Sequence, residues 1–186
     1  MIVYLISFLL LATGVFYDHQ VSAFFLNHQY AWLSKFMSVF ALLGDGISVF
    51  IIISLIWIGV RKKIPATFWF AFGASMLVTY FLKIFFMRER PFAIPGSRDM
   101  AQSFPSGHST AVFSALPFFD GKWRYFWLVF SLVVMFSRVY QGYHYLTDVG
   151  AGMLIGYGIS MIVKKYGEER IQQVTKEVLG KNFAIN

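Results

Sequence analysis

Six nearly unbroken apolar stretches, at residues 2–17, 46–60, 66–87, 108–119, 123–140 and 149–163, take up about half of the 186-residue chain. A backbone inside hydrocarbon must satisfy its own hydrogen bonds within each segment, so stretches of this kind become helices. The expected fold is all-α: a polytopic membrane protein with six transmembrane helices and an interfacial helix after the first. The first, fourth and sixth stretches are short for a span of ~20 residues and should extend into their flanks. Composition agrees, since 58% of residues are hydrophobic and 13% charged, too little polar surface for a soluble domain of this length and too apolar for disorder. With no cysteine, disulfides, zinc–thiolate sites and cysteine nucleophiles are excluded.

Gly44-Asp45-Gly46 marks one boundary, and Arg61-Lys62-Lys63-Ile64-Pro65 the next, with Pro65 suited to open a helix. The first stretch lacks a basic leader, and Val21-Ser22-Ala23 is a weak cleavage site, so it reads as a retained helix. With the N-terminus in the cytoplasm, ten of the sixteen lysines and arginines fall on the cytoplasmic side and six on the other, which favours both termini inside. The net charge of +7 then belongs to cytoplasmic loops, anionic headgroups and an anionic substrate, not to nucleic acid. Trp32, Leu33, Phe36, Met37, Phe40 and Leu43 recur at helical spacing and read as an interfacial helix or a buried half-helix. Ile171, Val174 and Val178 share one face of a short amphipathic tail. This divides the chain into a six-helix membrane domain at 1–165 and a cytoplasmic tail at 166–186.

The informative residues are polar ones at the outer ends of the spans. Lys83 interrupts an apolar run, and a cation there must face protein, water or an anion. Arg90 follows seven residues later, two helical turns, which puts both side chains on one face. Phe104-Pro105-Ser106-Gly107-His108-Ser109 precedes the fourth span: Ser106 is a good N-cap, Gly107 allows close approach of a ligand, and a helix start offers free N–H groups to an anion. After Ser137-Arg138, Gly142 marks a turn, and His144 and Asp148 are four apart at the next helix start, side by side. A carboxylate accepting Nδ1–H leaves the Nε2 lone pair free to attack an electrophile. Singly, these have plain readings: snorkelling cations, an ordinary capped helix, a structural His–Asp pair. Together they bring three cations, Lys83, Arg90 and Arg138, to one depth with Asp148 as the one acid among them. A phosphate group fits such a cluster best. Two histidines beside it suggest phosphoryl transfer, one as nucleophile and one as proton donor; which of them attacks does not follow from spacing. No carboxylate cluster with metal-ligand spacing accompanies them, so neither metal nor other cofactor is expected.

Lys83-x6-Arg90-Pro91, Pro105-Ser106-Gly107-His108 and Ser137-Arg138-x5-His144-x3-Asp148 resemble the three-part signature of the type-2 phosphatidic acid phosphatase superfamily, which also holds bacterial acid phosphatases and vanadium haloperoxidases. The resemblance covers about a third of the chain, with each position filled in order. It implies that Lys83, Arg90, Ser106, Gly107 and Arg138 bind phosphate. His144 would be the nucleophile that forms a phosphohistidine, His108 the general acid, and Asp148 the residue that orients His144. It further implies a lipid phosphate substrate at the outer leaflet of a bacterial inner membrane: undecaprenyl diphosphate, phosphatidylglycerol phosphate, phosphatidic acid or lipid A 1-phosphate. Two other classes share the anion site, an anionic-lipid transporter or flippase without hydrolysis and a vanadate-dependent haloperoxidase. The first does not need a His–Asp pair, and the lipid setting disfavours the second.

Overall fold

The computed structural model describes residues 1–60, 66–92 and 102–183. The basic run Arg61-Lys62-Lys63 and the helix-opening Pro65 lie outside the described residues. The elements are α1 (Ile2–Asn27), α2 (Ala31–Leu43), α3 (Gly46–Val60), α4 (Ala66–Phe86), α5 (Gly107–Ala115) followed by a 3-10 turn (Leu116–Phe118), α6 (Gly121–Tyr140) and α7 (Leu146–Phe183). Among the described residues there is no strand beyond a single antiparallel bridge between Glu89 and Gln102.

α1 is inside out relative to a helix of a soluble protein. On α1 the buried residues are Val3, Ser7, Gly14, Asp18 and Ser22, while Phe8, Val15 and Phe16 are 67%, 72% and 73% exposed. Small and polar residues inward with large apolar residues outward is the pattern of a helix whose solvent is lipid. On length and composition, three helical segments can cross a membrane: Ile2–Asn27, Thr67–Phe86 and Leu146–Gly167. A fourth crossing is available if α2 and α3, bent by 65° at the Gly44–Asp45 break, make one span. This is fewer than the six expected. The shortfall lies in α3, at 15 residues, in α5, at 9, and in α6, whose Lys122, Arg124 and Arg138 dilute its hydropathy.

α7 is the axis on which α1, α4 and α5 pack. Two glycines make the α5 contact possible. A Cβ at Gly152 would lie 2.4 Å from the Ser106 carbonyl oxygen, and one at Gly156 would lie 2.3 Å from that of Thr110. Any larger residue at either position would push the two backbones apart. α5 is therefore enclosed, with Ser109 to Ala115 all buried. Its polar side chains are satisfied locally: Thr110 Oγ1 pairs with Thr79 Oγ1 of α4 (2.9 Å), and Ser114 Oγ donates to the Ala111 carbonyl (2.7 Å).

α2 packs on α6 through Met37 and Ala41, while Trp32, Phe36, Val39 and Leu42 stay exposed. α7 runs through Gly167 without a break, so the expected tail helix continues the last helix. The apolar face expected on it falls on side chains outside the described residues.

Candidate active site

Four chain segments meet at one end of the bundle, and backbone hydrogen bonds lock them in register. The Ser106 N–H donates to the Asp148 carbonyl (2.9 Å), joining the start of α5 to the first turn of α7. The Tyr143 and His144 N–H groups both donate to the Arg138 carbonyl (3.1 and 3.2 Å), folding the 141–145 turn back on the end of α6. Gly142 permits that turn, with φ +73, and a Cβ there would strike Leu26 Cδ2 at 2.7 Å. The Ser103 N–H donates to the Arg88 carbonyl (2.6 Å) and Ser103 Oγ to that of Glu89 (2.9 Å), tying the segment after α4 to the approach to α5.

All eight residues singled out in the sequence fall in this region, but Lys83 and Arg90 arrive differently from expectation. They do not share a helix face. α4 ends at Phe86, Met87 turns the chain with φ 43, and Arg90 lies in an extended segment beyond. Convergence therefore comes from the break at Met87 and the non-helical segment beyond it rather than from two turns of helix. Lys83 Nζ donates to the Gln102 carbonyl (3.0 Å), within electrostatic reach of Arg90, Arg138 and Asp148. The Tyr143 ring lies between the two arginines, 4.5 Å from Arg138 Cζ and 5.6 Å from Arg90 Cζ. Burial, the largest influence on Arg90, lowers its pKa from the ordinary guanidinium value.

Ser106 caps α5 as expected, its Oγ accepting from the Ser109 N–H (3.4 Å). Above Gly107 the space is open: an added Cβ would find only Met76 Cε, at 4.0 Å. A side chain there would occupy the room a ligand needs to reach the helix start. His108 follows in the first turn, its imidazole close to the Ala41 carbonyl and facing Arg138, His144 and Asp45.

His144 and Asp148 are buried, and His144 Nδ1 lies 3.5 Å from Asp148 Oδ2. That is ion-pair distance, but the approach is out of line for a hydrogen bond, and the buried Nδ1 has no hydrogen-bond partner. Burial, and then the fields of Arg138, Lys83 and Arg90, hold the His144 pKa well below the ordinary imidazole range. The ring is therefore neutral near pH 7. Buried Arg138 Nε likewise has no acceptor among the described residues. A buried donor without an acceptor in a cationic pocket is a reason to expect an anion there.

Asp148 is not the one acid here. Asp18, from α1, is buried beside it, and Asp45 faces Arg138 and His108. Arg88, one of the six basic residues assigned to the outer side, joins the two buried carboxylates: Nη1 donates to Asp148 Oδ1 and Nη2 to Asp18 Oδ2, both at 2.9 Å. Thr147 Oγ1 accepts from Arg88 (2.6 Å) and donates in a short contact to Asp18 Oδ2. Asp18 and Tyr143 were also missed. The one sequence signal for Asp18 was a carboxylate just beyond an apolar stretch. Among the described residues no group of three or more histidines and carboxylates has metal-binding geometry.

Long apolar helices with large apolar side chains on the outside, and a cluster of buried cations at one end, define a multi-pass membrane protein. The chain belongs to the PAP2 superfamily, whose sequence profile matches residues 64–172. It is 28% identical over 172 residues to phosphatidylglycerophosphatase B of Bacillus subtilis, covering 82% of this chain and 84% of that one. It is 34% identical over 106 residues to lipid A 4'-phosphatase of Porphyromonas gingivalis, covering 49% of this chain and 45% of the relative. A crystal structure of a transmembrane PAP2-type phosphatidylglycerolphosphate phosphatase from Bacillus subtilis superposes with a TM-score of 0.73 at 26% identity, covering 90% of this chain and 94% of that one.

Proposed function

We propose that the protein is a membrane lipid phosphatase working through a phosphohistidine. The observation that carries the reading is the convergence of Lys83, Arg90 and Arg138 on a neutral, buried His144 that lies 3.5 Å from Asp148, with open space above Gly107 at the start of α5. Similarity to lipid phosphatases supports the same reaction class. The phosphate of the lipid sits among the three cations, the Ser106 hydroxyl and the Gly107 N–H at the start of α5. His144 Nε2 donates its lone pair to phosphorus, and Asp148 holds the Nδ1 side of the ring and stabilises the imidazolium that develops. The bond from phosphorus to the lipid oxygen breaks, and that oxygen takes a proton from His108. Water then attacks the phosphohistidine, giving its proton to His108; the phosphorus–nitrogen bond breaks and inorganic phosphate leaves. The residues in these roles complete the reaction without a metal or other cofactor.

The membrane domain at 1–165 crosses six times. The short α5 supports this, because the enclosed segment from Gly107 to Phe118 is tied near both ends. Ser106 bonds to Asp148 at one end, and Lys164 Nζ donates to the Pro117 carbonyl (2.8 Å) at the other. Sixteen residues of α7 separate those anchors, about 24 Å of helix. The basic bias puts both termini and the 166–186 tail in the cytoplasm and the pocket at the outer leaflet. Substrates are drawn from undecaprenyl diphosphate, phosphatidylglycerol phosphate, phosphatidic acid and lipid A 1-phosphate. The test is phosphate release from each of the four by purified protein in detergent, beside His144→Ala. Release that His144→Ala abolishes without loss of fold supports the reading; no release from any lipid refutes it.

A further inference from the structure

We propose that Arg88, clamped between Asp18 and Asp148, is a positioning residue that keeps the Asp148 carboxylate charged and aimed at His144. This rests on the phosphatase reading and adds a residue to it. Arg88 is committed away from the phosphate pocket: its two Nη atoms reach Asp148 Oδ1, Thr147 Oγ1 and Asp18 Oδ2, and its Cζ lies 4.0 Å over the Tyr145 ring. Asp18 is fixed in turn, its Oδ1 accepting from the Thr147 N–H (3.1 Å). With Oδ1 of Asp148 taken by Arg88 and Oδ2 accepting from the Tyr145 N–H (2.8 Å), the carboxylate has one orientation, the one that turns Oδ2 to His144 Nδ1.

The charge arithmetic explains why a separate cation is needed. From α1, Asp18 shares Arg88 with Asp148, and His19 lies edge-on to Tyr145. Lys83 stands near Asp148 from α4, Arg88 and Arg90 from the segment beyond, and His144 and Tyr145 from the turn; Arg138 and His108 face His144. Lys83, Arg90 and Arg138 are the cations a phosphate would neutralise. Asp45 also faces Arg138, so with phosphate bound Arg88 is the cation left in ion-pair contact with the two buried carboxylates. Without Arg88 the two face each other unbalanced, and one takes up a proton. A protonated Asp148 no longer offers His144 a full counter-charge.

The experiment measures kcat and KM for phosphate release from phosphatidic acid between pH 4 and 9, with Arg88→Gln, Arg88→Lys and Asp18→Asn in the full chain. The acid limb belongs to the His144–Asp148 pair. Arg88→Gln should lower kcat by about tenfold or more, as for other displaced catalytic geometry, with KM little changed. It should also move the acid limb up by about one pH unit, because Asp148 loses its cation. Arg88→Lys keeps the charge and should keep the wild-type limb with a smaller kcat loss. Asp18→Asn leaves Arg88 undivided on Asp148 and should move the limb the opposite way, to lower pH. A merely structural role would lower kcat in all three and move no limb, which would overturn the proposal. A loss confined to KM would overturn it too, by making Arg88 a substrate contact. If Arg88→Gln does not fold, Asp18→Asn carries the test, and an unmoved limb there is the refuting result. Wild-type protein silent on every lipid would instead refute the phosphatase reading itself.

Discussion

Gly152→Ala should cripple turnover from a position packed against the backbone of α5. The added methyl would sit 2.4 Å from the Ser106 carbonyl oxygen, 3.0 Å from Ser109 Cβ and 3.2 Å from the Thr110 nitrogen. Ordinary contact begins at 3.4 Å. Two of these three atoms are backbone, so no side-chain rotation relieves the clash, and the start of α5 must move off α7 by about 1 Å. That movement stretches the Ser106–Asp148 bond, 2.9 Å at rest, and carries Gly107 and His108 away from His144. Misplacing a site by ~1 Å costs about 10²-fold in rate. Overpacking of this kind costs about 1–3 kcal/mol in stability. Two further substitutions on the same helix separate the causes. At Gly156 a Cβ would meet the Thr110 carbonyl at 2.3 Å, one turn farther from Ser106, so Gly156→Ala should cost similar stability and less turnover. At Gly158 a Cβ meets nothing within 4 Å, so Gly158→Ala should keep wild-type turnover. The assay is phosphate release in detergent beside a thermal unfolding curve for each variant. Wild-type kcat/KM in Gly152→Ala, or equal damage from Gly158→Ala, would refute the close-packing account.

Four other outcomes are expected. His108→Ala should lose about 10²–10⁴-fold on phosphatidic acid but less on undecaprenyl diphosphate, whose leaving phosphate needs less protonation; equal losses on the two would remove His108 as the acid. Turnover should survive EDTA and be inhibited by orthovanadate, which adopts the five-coordinate geometry of phosphoryl transfer; rescue of an EDTA-treated enzyme by magnesium would count against this. In the proposed mechanism His144 attacks as the neutral ring, and burial with the nearby cations holds its pKa below the imidazole range. The acid limb of kcat/KM for the wild type should therefore lie below ~6.5, and a limb at or above that value would show a solvated imidazole instead. For sidedness, single cysteines replace exposed Lys35 on α2 and exposed Lys122 at the start of α6 in this cysteine-free chain. An impermeant thiol reagent applied from outside should label the first and not the second, and the reverse would move the reaction to the cytoplasm.

What could be read from the sequence was local. Ser106 as an N-cap, a turn at Gly142 and the closeness of His144 to Asp148 depend on backbone preferences and short spacings and are present in the structure, although His144 precedes α7 and its Nδ1 makes no hydrogen bond. The apolar stretches were equally legible, because a lipid solvent imposes its demand on every residue of a span. The seven-residue step from Lys83 to Arg90 failed as a helix argument because α4 ends at Phe86, four residues short of Arg90, with Met87 at positive φ. Tertiary structure decided which helix lies against which. The clamp from Asp18 to Arg88 joins residues 70 positions apart, and Gly152 and Gly156 matter only because α5 chose their side of α7. In a chain whose helices are apolar nearly all round, hydrophobic periodicity cannot select the inward face. That face is selected by the few small or polar side chains that find partners across the bundle, and those partners exist only once the helices have packed.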